Sequence, residues 1–135
     1  MKSIFNRTLT GLLLAFTGLL LFVGSCDVPT TNHTSINQRL SGFVSGLNGS
    51  DRSGLYQNTD SSATDYNAAK SASFWNALFP ADGTYTVGTP TVSGSTITVT
   101  LNSTGTFGSA SLELDTTGAD NYIAVIKVGG SVIFN

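Results

Sequence analysis

Three apolar rhythms follow one another along this chain. Between Leu12 and Val23 apolar residues run almost unbroken, interrupted only by Thr17 and Gly18. From Ile36 the spacing changes: Ile36, Leu40, Phe43, Val44 and Leu47 fall on one face of a helix with 3.6 residues per turn. Beyond Gly83 it changes again, to alternation, clearest where Ile97, Val99 and Leu101 interleave with Thr96, Thr98 and Thr100. The chain thus divides into an apolar leader, a helical region and a region of strands.

Punctuation residues refine the boundaries. Thr34 or Ser35 suits the N-cap of the first helix, and Asn48-Gly49 stops it. Ser50-Asp51 opens a second short helix carrying Leu55 and Tyr56. After the polar loop Asn58 to Thr64, a third helix is predicted from Asp65 to Phe79, with Ala68, Ala72, Trp75 and Phe79 on one face and Pro80 ending it. Tyr85 and Val87 start the first strand, and Val92 continues it past Gly88-Thr89-Pro90. Ala110, Leu112 and Leu114 share a strand face; Phe107 has the wrong parity for it, which predicts a bulge near Gly108. Tyr122 to Val128 and Ser131 to Phe134 form a hairpin across Gly129-Gly130. Helices first and strands after predict an α+β domain, with N-terminal helices packed on an antiparallel sheet of four to five strands.

The leader has a three-part layout: Lys2 and Arg7, a short apolar run, then the small residues Gly24 and Ser25 before the single cysteine, Cys26. The run is shorter than the roughly 20 residues that span a bilayer comfortably, so a cleaved signal peptide ranks ahead of an uncleaved anchor. Val23-Gly24-Ser25-Cys26 resembles a bacterial lipobox. That resemblance implies cleavage after residue 25, acylation of the Cys26 thiol and attachment to a membrane of the bacterial cell envelope, on its periplasmic or cell-surface side. Two or more acyl chains give a stable anchor. The expected organisation is a signal peptide over 1–25, a tether over 26–34 and a domain over 35–135.

Charge then narrows the partners. After Cys26 eight acidic residues face four basic ones, a formal charge of −4, and Arg39, Arg52, Lys70 and Lys127 are scattered. No basic stripe suggests nucleic acid. Only 10% of the chain is charged, against about a quarter in an average domain. With no second cysteine for a disulfide, the core alone must hold the fold.

The stretch from Gly46 to Tyr56 (GLNGSDRSGLY), an aromatic-rich third helix and the closing segment from Tyr122 to Phe134 (YIAVIKVGGSVIF) resemble the nuclear transport factor 2-like superfamily. Val132 stands where that family often has tryptophan. The resemblance implies a curved sheet wrapped around helices to make a conical pocket, and sheet faces that often dimerise.

Chemistry is sparse. The sole histidine, His33, lies in the expected tether, so neither a serine–histidine pair nor a metal site is assembled around it. Asp60 and Asp65 do not have calcium-loop spacing. Glu113 and Asp115 share a polar strand face, and Lys127 reads as a snorkelling residue beside Ile123 and Val125. No catalytic residue, metal site or cofactor is therefore assigned, and a non-catalytic role ranks ahead of an enzyme of the ketosteroid isomerase type. Aromatic residues with a polar handle remain as ligand-binding candidates: Tyr56, Trp75, Tyr85 and Tyr122. The expected function is a lipid-anchored lipoprotein that binds a small apolar ligand or a protein partner at the envelope. The alternative is a structural or interaction lipoprotein forming a homodimer through its sheet.

Overall fold

The computed structural model describes residues 31–117 and 120–135, with side chains from Ile36 onward. Cys26 and the leader lie outside the described residues. The 3.6-residue spacing becomes α1 (Thr31–Asn48), which buries Ile36, Leu40, Phe43 and Leu47 and half-buries Val44. It starts four residues before Ser35, since no glycine or proline between Thr31 and Ser35 interrupts it. Its first turn therefore includes Thr31 to Thr34, residues expected in the tether.

The second helix is a short 3-10 turn, Leu55–Asn58, laid against α1. Two glycines of α1 permit that approach. A Cβ at Gly46 would stand 2.6 Å from Leu55 Cδ2, and one at Gly42 would stand 3.0 Å from Asn58 Oδ1. The third helix is broken in two, α2 (Tyr66–Ala69) and α3 (Ala72–Leu78). Ser71 causes the break: its backbone is extended and its hydroxyl accepts from the Ser73 N–H at 3.3 Å, an N-cap in mid-sequence. The break shifts the phase, so that Ala69 is buried and Ala68 is exposed, while Trp75 and Phe79 stay inside.

The sheet has six strands, more than the four to five expected: β1 (Tyr85–Val87), β2 (Thr91–Ser93), β3 (Thr96–Ser103), β4 (Ser109–Asp115), β5 (Ile123–Val128) and β6 (Ser131–Phe134). The extra strand arises because Gly88-Thr89-Pro90 divides the first expected strand into β1 and β2, which pair with successive parts of β3. All pairings between strands are antiparallel, in the order β1-β3-β4-β5-β6.

Two irregularities, one in β5 and one in β6, reset which residues face the core. Leu114 pairs with Ile123 and Glu113 with Val125, which leaves Ala124 extra; Ile126 pairs with Phe134 and Lys127 with Val132, which leaves Ile133 extra. Ile123 and Ile126 are consequently both buried. Lys127, expected beside Ile123, lies instead on the face of Val125 and Glu113. The parity break at Phe107 is a turn rather than a bulge in a strand. Gly108 adopts a left-handed φ of +76°, and Phe107 folds onto Phe79 and Tyr85 at ring distances of 4.9 and 5.6 Å.

The core fills the space between the helices and one sheet face. Phe43, Trp75, Phe79 and Phe134 pack ring on ring there, with Phe43 edge-on to Trp75 at 5.7 Å and Trp75 against Phe134 at 5.8 Å. Edge-to-face pairs of this kind add about 0.5–1.5 kcal/mol beyond their burial. The opposite face carries Thr96, Thr98, Thr100, Ser111 and the Glu113–Lys127 ion pair.

Candidate functional site

The four aromatic candidates do not meet in one cavity. Trp75 and Tyr85 are fully buried, and each spends its polar atom on the backbone: Trp75 Nε1 donates to Ala69 O at 2.6 Å and the Tyr85 hydroxyl to Pro80 O at 2.6 Å. Burial pushes the Tyr85 phenol above its ordinary pKa. Tyr56 is half-buried, edge-on to Tyr66 at 5.7 Å. Tyr122, also half-buried, lies under the Arg39 guanidinium at 4.0 Å and lines a small cleft of about 150 Å³ with Asp60, Asp115 and Asp120.

That cleft is acidic, but two of its carboxylates serve local turns. Asp60 Oδ1 accepts from the Ser62 N–H and hydroxyl, and Asp115 Oδ1 from the Thr117 N–H and hydroxyl. The hydrogen bond from the Thr117 backbone holds the Asp115 carboxyl below its usual range. Among the described residues no group of three His, Cys, Asp or Glu converges to hold a metal ion. Lys127 Nζ and Glu113 Oε1 lie 2.5 Å apart on the outer sheet face, about one-third exposed, so their pairing is worth at most about 1 kcal/mol.

Sequence reasoning missed two polar linchpins. Arg52 is 3% exposed and pairs with no carboxylate among the described residues. Its Nε and Nη2 donate to Leu47 O at 3.2 and 2.7 Å, and its Nη1 donates to Phe79 O and to Asn76 Oδ1. Leu47 lies in the last turn of α1 and Phe79 is the C-cap of α3, where unpaired carbonyls concentrate partial negative charge. Asn48, the last residue of α1, clasps β1: Tyr85 N donates to its Oδ1 at 2.7 Å, and its Nδ2 donates to Tyr85 O at 2.9 Å. Nothing in the apolar spacing marks Arg52 or Asn48, because most of their partners are backbone groups, and those at Phe79 and Tyr85 are distant in sequence.

Next to that clasp lies an uncharged opening. A groove of about 400 Å³ runs between α1 and the free edge of β1. Leu40, Val44 and Val87 supply its apolar lining, Asn37, Ser41, Ser45 and Thr86 its polar rim, and no residue lining it is charged. A second opening of about 450 Å³, on another side of α1, is lined by Arg39, Gly42, Gly46, Asp51 and Gln57. Arg39 is already committed there, donating to Gln57 O at 2.9 Å and to Asp120 O at 3.1 and 3.3 Å.

No family model, curated protein or solved structure matches this chain. Among the described residues no helix is long and apolar enough to cross a membrane.

Proposed function

We propose that this protein is a lipid-anchored lipoprotein of the bacterial envelope whose exported domain binds a small, neutral amphipathic molecule. The anchor is acylated Cys26, and the binding site is the groove between α1 and β1. One observation carries the reading: the groove combines Leu40, Val44 and Val87 with an uncharged rim of amide and hydroxyl groups, the usual make-up of a small-molecule site. The order of helices followed by an antiparallel meander supports kinship with the nuclear transport factor 2-like superfamily. In this version the would-be cone is packed with Phe43, Trp75, Phe79 and Tyr85, and recognition moves to the helix–strand edge. The binding is non-catalytic, since the groove holds no titratable group.

Native mass spectrometry of the chain, purified gently from its own cells, tests the binding role. A reproducible added mass that disappears in Ser41→Trp, a substitution that fills the groove from an exposed position, supports it. The same mass retained in that variant places the ligand elsewhere and overturns the site. The anchor is tested separately by Cys26→Ala, which is expected to abolish lipid attachment and membrane retention; unchanged retention sinks it.

A further inference from the structure

We infer that the groove between α1 and β1 takes its ligand by strand pairing, and that the ligand class is an uncharged, extended peptide segment. The inference rests on the proposed groove and specifies what fills it.

Some backbone groups of β1 are already used. Thr84 O accepts from Thr104 N at 3.1 Å and Gly88 N donates to Thr100 O at 2.9 Å, while Thr86 stands opposite Asn102. The backbone groups of residues 84, 86 and 88 therefore face β3. In an extended strand those of residues 85 and 87 must point the other way, away from the sheet. At Tyr85 that outward pair is taken by the carboxamide of Asn48, which accepts from the N–H and donates to the C=O at 2.7 and 2.9 Å. A carboxamide is one peptide group, so the molecule itself shows what chemistry this edge accepts.

Val87 presents the next such pair, about 6.8 Å along the strand. Among the described residues neither its N–H nor its C=O has a hydrogen-bond partner. Val87 lines the groove, where it forms one wall with Thr86 and Gly88, and Leu40, Ser41, Val44 and Ser45 form the other. An added strand would pair with Val87 and continue from the Asn48 amide. Alternate side chains would rest on Leu40 and Val44, and the rest would face solvent. Charge points to a neutral segment: a Lys, Arg, Asp or Glu side chain directed into this groove would meet no opposite charge there.

Amide-resolved NMR of the full-length chain decides the matter with three probes: the blocked tetrapeptide acetyl-Val-Ala-Val-Ala-amide, the same peptide N-methylated at every residue, and octan-1-ol. The expected result is saturable shifts at Val87, Ser41 and Val44 with the first probe, slowed hydrogen exchange of the Val87 amide, and affinity at least about tenfold weaker for the N-methylated peptide, which lacks the donors. Ser41→Trp is expected to abolish those shifts. Equal binding of both peptides, or shifts with octan-1-ol alone, overturns strand pairing and leaves the amphipathic groove standing. Silence from all three probes removes the groove and the inference together.

Discussion

Arg52 and Arg39 make the same kind of bond in opposite settings. Each spreads its guanidinium over backbone carbonyls contributed by two segments, and among the described residues neither pairs with a carboxylate. Arg52 does so at 3% exposure between the ends of α1 and α3, near the Tyr85 ring at 6.0 Å. Arg39 does so half-buried, tying α1 to Gln57 and Asp120 with Tyr122 beneath it. What differs is the fate of the carbonyls when the side chain is removed. Water can reach those that Arg39 holds. Leu47 O and Phe79 O would be left in the interior, where an unsatisfied group costs about 1–3 kcal/mol. A cation without a carboxylate is thus not a surface ornament when helix ends supply its acceptors.

The comparison can be broken most sharply at Arg52. Arg52→Met keeps much of the volume and removes every donor; urea denaturation is expected to show a loss of about 3 kcal/mol or more. Arg52→Lys retains the charge without the planar fork and is expected to recover less than half of that loss. If Met and Lys behave alike, the fork is not what matters. Next comes Asn48→Ala, which frees both outward groups of Tyr85 and removes the clasp of α1 on β1. A loss of about 1–2 kcal/mol is expected, with faster hydrogen exchange at Tyr85. Arg39→Ala should cost about 0.5–1 kcal/mol, and a value matching Arg52→Met would erase the distinction between the two sites.

The smallest effect concerns acid. Hydrogen bonds from the Thr106 hydroxyl and N–H hold the Asp82 carboxyl below its ordinary pKa. A depressed carboxylate contributes stability that is present above the unfolded value of about 3.9 and is lost as pH falls through the folded one. Asp82→Asn is therefore expected to lower stability slightly near neutrality and to flatten its fall below about pH 4, so that the gap to the unmodified protein closes in acid. A profile that is unaltered below pH 4 would sever Asp82 from the acid response.

Much of the fold was legible because burial imposes periodicity. Ile36, Leu40, Phe43 and Leu47, and the alternating positions of β3 and β4, are inside as their spacing required. The misreadings sit where a single residue resets the phase. Ser71 caps a new helix inside a continuous apolar pattern, Pro90 splits a strand without ending the pairing, and Ala124 lets Ile123 and Ile126 face the same way. Each is a local hydrogen-bonding choice that periodicity does not record. The site was harder still. Sequence nominated residues with both a ring and a polar atom, and in Trp75 and Tyr85 the polar atom serves the adjacent backbone. The groove depends on Val44, Val87 and a set of serines, which are ordinary residues whose meaning comes from the gap between a helix and a strand edge.

The meander has a kinetic consequence. From β3 to β6 each strand pairs with the next one in the chain, so each ladder closes only a short loop, a step with little entropic cost. The contacts of Arg52 with Phe79, Asn48 with Tyr85, Arg39 with Asp120, and Asp65 with Asn135 close much longer ones. The sheet is thus expected to zip first and these clasps to lock afterwards, giving them φ-values near zero. Asn48→Ala should then hasten unfolding and leave the refolding rate almost unchanged. The clasps would set how long the native domain lasts, and the hairpins how quickly it forms.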